Sequence, residues 1–196
     1  TATGLTIALA GNPNCGKTAL FNALTGFRQT TGNWPGVTVE RKEGRCELDG
    51  QTVRVIDLPG IYSLEIESLD EQVTRDYLLS HEADLIVNVI DAGNLERNLY
   101  LSVQLLEMGV PLVVALNMMD VAEKRGIRID VERLAEELGC PVVPIVAVKR
   151  SGLAELSARM LAVADGRERG GFPLAHQDCV DEAVLDLSEA LKSRRV

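Results

Sequence analysis

The stretch Gly11-Asn12-Pro13-Asn14-Cys15-Gly16-Lys17-Thr18 constrains the fold most, because its pattern, GxxxxGK[ST], works only where a buried strand hands over to a helix. Both flanks are present. Leu5 to Ala10 is a continuous apolar run, suited to a central parallel strand covered on both faces, and Lys17 to Thr25 reads as a helix closed near Gly26. Glycines 11 and 16 let the backbone turn tightly, so that successive N–H groups and a helix N-terminus face phosphate oxygens. Lys17 then reaches the β- and γ-phosphates, and the Thr18 hydroxyl is placed to ligate Mg²⁺. The residues expected to cradle a nucleoside triphosphate are Gly11, Asn12, Pro13, Asn14, Cys15, Gly16, Lys17, Thr18 and Ala19.

With 196 residues the chain has room for one ordinary domain and a small appendage, and its few aromatics favour an α/β domain with a buried parallel sheet. A net charge of -9 argues against a nucleic-acid backbone binder, which would show a basic face. Cys15, Cys46, Cys140 and Cys179 form no CxxC pair, and the two histidines, His81 and His176, have no ligand spacing. That usage suits a reduced, cytosolic compartment. The opening residues carry no signal core and the apolar runs stop well short of ~20 residues, so no membrane insertion is expected of this stretch.

After the first helix, Phe27 to Gly36 has turn chemistry without periodicity and reads as a long mobile loop. Val37 to Leu48 and Val53 to Leu58 read as strands joined through Asp49-Gly50, which places one antiparallel edge on the sheet. Asp57-Leu58-Pro59-Gly60 follows as DxxG. Alone that pattern is an ordinary turn. At this distance behind a phosphate loop, Asp57 can hold Mg²⁺ through its water shell and the Gly60 N–H can bond the γ-phosphate.

Ser68-Leu69-Asp70-Glu71 is a capping box opening a helix to about Leu79. Leu85 to Ile90 is a buried strand, and Asn94 caps a helix that Gly109 stops. Pro111 to Leu116 is the next strand, delivering Asn117-Met118-Met119-Asp120 at its carboxyl end, where open parallel sheets bind ligands. Read as NxxD, this segment offers the Asp120 carboxylate to N1–H and the exocyclic amine of guanine; adenine has no such donor pair. Met118 stands where lysine is usual and leaves only an apolar contact with the base plane. Asp130 caps a helix ended by Gly139, Pro141 to Val146 is the last of six strands, and Ala147-Val148-Lys149 occupies the place of a base-contacting loop. Gly152 to Ala164 closes the domain. The expected boundaries are a G domain over 1–164, a linker over 165–178 and a helical segment over 179–196, whose short amphipathic helix needs a packing partner.

With these motifs placed, the chain resembles the cytosolic G domain of the FeoB family, the bacterial ferrous iron transport protein B, from about Leu5 to Leu161. Gly32-Asn-Trp-Pro-Gly-Val-Thr-Val-Glu40, Asp57-Leu-Pro-Gly-Ile-Tyr-Ser-Leu64, Leu69-Asp-Glu-Gln72 and Asn94-Leu-Glu-Arg-Asn-Leu-Tyr-Leu101 carry the likeness alongside the phosphate loop. It departs at Cys15, where many relatives have serine, in the short stretch from Glu65 to Ser68, and at Ala147-Val148, which replace Ser-Ala. Cys15 is either a small loop filler or, at a helix N-terminus, a thiol of depressed pKa.

The resemblance implies a three-layer, Ras-like P-loop GTPase fold with a mostly parallel six-stranded sheet, one antiparallel edge strand and a short C-terminal helical extension. It implies GTP/GDP and Mg²⁺, the metal shared by Thr18, Thr38 and Asp57, with guanine at Asn117, Met118, Asp120, Ala147 and Val148. A transmembrane Fe²⁺ permease in the same polypeptide would be the partner, on the cytoplasmic side of the bacterial inner membrane; self-association is left open. Ile61 and Tyr62 follow DxxG where a Ras-like enzyme has a water-orienting glutamine, so hydrolysis is expected to be slow. Likeness to GTPases with an asparagine at position 14 implies K⁺ bound by Asn14 and by the carbonyls of Gly32 and Trp34; the alternative is a loop-stabilising hydrogen bond from Asn14. The candidate catalytic set is Asn14, Lys17, Thr38 and Gly60. Other readings are an RNA- or ribosome-associated GTPase of the same fold class and a non-hydrolysing nucleotide-binding module.

Overall fold

A computed structural model describes residues 4–26 and 29–171. Its centre is β1 (Thr6–Gly11), buried at every position because it lies between two parallel neighbours and under helices on both faces. Those neighbours are β4 (Gln51–Asp57) and β5 (Leu85–Asp91); β6 (Leu112–Asn117) and β7 (Val142–Pro144) extend the sheet in parallel on one side. On the other side β3 (Glu40–Leu48) runs antiparallel to β4, and β2 (Gln29–Asn33) antiparallel to β3. The order is β2-β3-β4-β1-β5-β6-β7.

Alternation along the strands divides the apolar residues between two cores. Ala8, Ala10, Ile56, Ile86 and Leu116 face α2 (Leu69–Leu79) and α3 (Leu95–Glu107), which contribute Val73, Tyr77, Leu101 and Leu105. Ile7, Leu9, Val55, Val87 and Val113 face the other way, toward Leu20 and Phe21 of α1 (Lys17–Thr25) and Leu156 and Met160 of α6 (Leu153–Ala164). α5 (Val131–Leu138) packs beside β7. The result is the three-layer P-loop GTPase fold expected.

The helix starts follow the sequence signals. The Ser68 hydroxyl accepts the Glu71 N–H at 3.3 Å while the Glu71 carboxylate accepts the Ser68 hydroxyl at 2.9 Å and the Glu67 N–H at 3.0 Å. Asp130 accepts the Arg133 N–H at 3.0 Å, and α5 ends at Gly139 in the left-handed conformation. In the β3–β4 hairpin, Asp49 and Gly50 both take positive φ, 48° and 78°, as a two-residue turn between right-twisted strands requires.

Two expectations are corrected. Among the described residues the sheet has seven strands, because Gln29–Asn33, expected within a mobile loop, is β2. Its residues are exposed or half-buried, so no apolar alternation betrays it; ladder bonds to β3, with Gln29 opposite Gly44 and Asn33 opposite Glu40, hold it as a polar sheet edge. A six-residue helix, α4 (Met119–Lys124), follows NxxD directly and is too short to show a period. Within the span read as a linker, the Gly170 carbonyl accepts the Leu112 N–H at 2.7 Å. The rest of that linker and the helical segment over 179–196 lie outside the described residues. Among the described residues, no helix is long and apolar enough to cross a membrane.

Phe21 is fully buried between α1 and the sheet. Phe21→Ala is expected to cost about 3–5 kcal/mol, read as a lowered urea midpoint with unchanged slope.

Candidate functional site

The carboxyl ends of β1, β4 and β6 meet along one rim, as a doubly covered sheet dictates for a ligand site. Lys17, Thr18, Thr38, Asp57, Pro59 and Asp70 line one cleft there. Asn12, Pro13, Asn14, Gly16 and Gly60 line an adjoining one that shares Lys17, Thr18 and Asp70. The structure therefore gathers the phosphate loop, DxxG and Thr38 in one place. Lys17 Nζ lies 2.5 Å from Asp57 Oδ1, with the two side chains only 10% and 6% exposed. An ammonium and a carboxylate so far from water are tolerable only as a pair, and incoming phosphates and Mg²⁺ would each claim one member.

The loop backbone is set by close approach. Gly16 has φ 87°, and a Cβ there would collide with the Asn117 amide. A Cβ on Gly60 would come within 3.2 Å of Pro13 Cα, so DxxG leans directly on the phosphate loop. Asn14 takes φ 65°, a left-handed conformation that asparagine tolerates, and is exposed in the second cleft.

At the other end, Asn117 is held within the protein by both ends of its amide. Its Nδ2 donates to the Cys15 carbonyl at 2.9 Å and its Oδ1 accepts the Ala147 N–H at 3.0 Å, so this buried amide braces the phosphate loop against the base-contacting loop. The Asp120 carboxylate accepts from Lys149 Nζ at 2.6 Å. That hydrogen bond keeps the Asp120 carboxyl below its usual range. Met118 caps α4 with φ 62°, Ala147 is buried, and Val148 is 78% exposed.

Gly32 and Trp34 are not brought to Asn14. Gly32 pairs with Arg41 in the sheet edge, and the Trp34 carbonyl accepts the Val37 N–H at 3.2 Å; neither lines the cleft that Asn14 lines. Ile61 is buried in the core, and Tyr62 lies under the Arg97 guanidinium at 4.1 Å, so neither offers an amide for orienting water. Two residues escaped sequence reasoning, Asp70, which lines both clefts, and Lys149, which bonds Asp120. Asp70 was absorbed into the capping box, although its place in the first turn of a helix after DxxG was a usable signal, and Lys149 was passed over as the tail of its loop.

The family model for ferrous iron transport protein B matches residues 5–160. The chain belongs to that family. It is 50% identical over 202 residues to the Fe(2+) transporter FeoB of Escherichia coli strain K12, covering 97% of this chain and 26% of the relative. The cytosolic domain of L. pneumophila FeoB superposes with a TM-score of 0.87 at 47% identity, over 97% of this chain and 82% of that one. The cytosolic domain of T. maritima FeoB in a GDP form gives 0.89 at 42% identity, over 98% and 76%. The chain thus spans about a quarter of the length of the full transporter, and matches its G domain.

Against the family background the departure at Cys15 resolves as packing. The thiol is 1% exposed in the core under β1, and burial pushes its pKa from 9.0 up to about 11, overriding the N–H groups of the helix start. Burial likewise raises Cys140 to about 12. Both thiols should therefore remain protonated and resist iodoacetamide at pH 8 in the native chain and react on unfolding, as mapped by peptide mass spectrometry. For the brace, Asn117→Ala is expected to weaken nucleotide binding by roughly 10- to 100-fold, since it leaves the Ala147 N–H and the Cys15 carbonyl unpaired; titration calorimetry measures this.

Proposed function

We propose that this chain binds GTP and GDP and slowly hydrolyses GTP, serving as the nucleotide switch of a ferrous iron transporter whose permease lies elsewhere in the same polypeptide. The observation that carries this is the convergence of Lys17, Thr18, Thr38 and Asp57 on one cleft, with Asp120 presented at the carboxyl end of β6. The backbone of Gly11 to Ala19 holds the phosphates and Lys17 neutralises their charge. Thr18, Thr38 and Asp57 hold Mg²⁺, a hard cation suited to hydroxyl and carboxylate oxygens. The Gly60 N–H meets the γ-phosphate. Asp120 selects guanine, Met118 and Val148 flank the base plane, and Ala147 is fixed by Asn117.

Hydrolysis is slow in this reading because no side chain after Gly60 can orient water. Asn14 supplies the remaining electrostatic help by holding K⁺, which offsets charge developing between the phosphates. Its exposed left-handed position in the cleft supports this. Gly32 and Trp34 complete the ion's shell only after their backbone, at the end of β2 and just beyond it, turns its carbonyls toward Asn14. Ordering of the loop up to Thr38 by the triphosphate is the signal that the rest of the transporter reads.

Two measurements test the reading. Asp120→Asn should lower GTP affinity by roughly 10- to 100-fold and gain xanthosine triphosphate binding, because two hydrogen bonds to a charged group are lost and a donor is supplied. Equal binding of ATP and GTP by the unaltered chain would overturn the base assignment. GTP turnover should be roughly tenfold or more faster in KCl than in matched NaCl, and Asn14→Ala should abolish the difference. Binding without multiple turnover would instead make the chain a non-hydrolysing module.

A further inference from the structure

Trp34 is the single tryptophan of the chain, and its side chain is only 7% exposed although it stands in an irregular segment at the sheet edge. Two contacts hold the ring. Its ring meets Tyr77 of α2 edge-on, with centroids 5.3 Å apart at 65°, and the Arg41 guanidinium covers it at 4.7 Å. The indole Nε1 is buried with no hydrogen-bond partner, so the ring is retained for its faces and edge, not for its polar tip. Its backbone closes the segment on itself: the Trp34 N–H donates to the Val39 carbonyl at 2.9 Å, and its carbonyl accepts from Val37 at 3.2 Å.

Val37 and Val39 pack onto the same core as Trp34, whereas Thr38 between them is exposed and lines the cleft with Lys17, Thr18 and Asp57. The loop thus has three apolar feet in the core and one hydroxyl in the site. Tyr77 belongs to the helix whose first turn brings Asp70 to the same cleft. The ring contact therefore ties the loop bearing Thr38 to the helix bearing Asp70. We propose that the Trp34 side chain is a positioning residue for hydrolysis, fixing Thr38 relative to Lys17 and Asp57 by anchoring residues 34–39 against Tyr77 and Arg41.

This rests on the GTPase reading above, and two readouts keep the two apart. GDP affinity reports the phosphate loop and the guanine end, which the ring does not touch; kcat for Mg²⁺-GTP reports Thr38. In Trp34→Ala, kcat should fall roughly tenfold or more while GDP affinity stays within about threefold of the starting chain. Trp34→Phe should restore most of that kcat, because it keeps an aromatic ring to face Tyr77 and Arg41, and the pyrrole portion it loses carries an N–H that has no partner. Tyr77→Leu, remote from the nucleotide, should lower kcat in the same way and red-shift the Trp34 emission by admitting water to the indole. If Trp34→Ala loses GDP binding through misfolding, the Phe and Tyr77 variants decide. A kcat within about twofold of the starting chain in Tyr77→Leu, or equal loss of kcat and GDP affinity in Trp34→Phe and Tyr77→Leu, overturns the inference. An unaltered chain that binds GDP but never turns over GTP overturns the functional reading, and the inference falls with it.

Discussion

The ion pair between Lys17 and Asp57 depends on, and reveals, how the sheet is built. β1 and β4 are parallel neighbours in a register that sets Leu9 beside Asp57, so the start of α1 and the end of β4 are delivered to the same point by ladder bonds alone. Both side chains are almost out of water, and each would be costly to bury alone. The fold therefore maintains a desolvated positive charge beside a desolvated negative one at the mouth of a strand. A phosphate needs the first and a divalent cation needs the second. On the proposed reading, the sheet holds the complement of Mg²⁺-nucleotide as a pair that neutralises itself.

The guanine end is organised by a different economy. Asn117 uses both ends of one amide to hold two loops from opposite parts of the chain, and Gly16 is small because that amide occupies the space a side chain would need. The phosphate loop and the base-contacting loop are thereby one rigid unit. Displacing either would orphan buried backbone groups, which is costlier than losing a surface contact. Such a unit suits a nucleotide that changes only at its γ-phosphate, since the base and proximal phosphates can stay gripped while the far side of the site responds.

The sequence made the buried parallel strands and the motifs at their ends legible because each couples an apolar run to a residue type that chemistry demands there. Asp49-Gly50 was equally readable, for a two-residue hairpin needs positive φ twice. β2 was not, since an edge strand of Gln, Thr, Gly and Asn gains its place from backbone pairing and buries no face. α4 was lost to its brevity. At the site, motif spacing identified Asn117 and Asp120 together, but only the fold could show that one turns inward as a brace and the other outward with Lys149. Cys15 shows the same limit: its position at a helix start and its burial push the thiol in opposite directions, and burial, visible only in three dimensions, prevails.

The distribution of packing also says where motion is least costly. β1, β5 and β6 are covered on both faces, whereas β2 has no residue in either core and is held at one edge by hydrogen bonds open to water. Local opening free energy follows buried apolar contact, so the β2 edge forms the soft margin of the domain and the phosphate and base loops its hard end, with the segment after β2 footed in the core by Trp34, Val37 and Val39. Thr38 lies between them. On the proposed reading, a γ-phosphate and metal that engage this hydroxyl draw on a part of the site whose rearrangement disrupts no buried strand. From there the path outward is mechanical and short: Trp34 touches Tyr77, and α2 runs from Asp70 at the cleft to Leu79, 53% exposed on the surface. The helix is thus the element through which a change at the phosphate end can reach the outside of the domain without passing through the rigid guanine end.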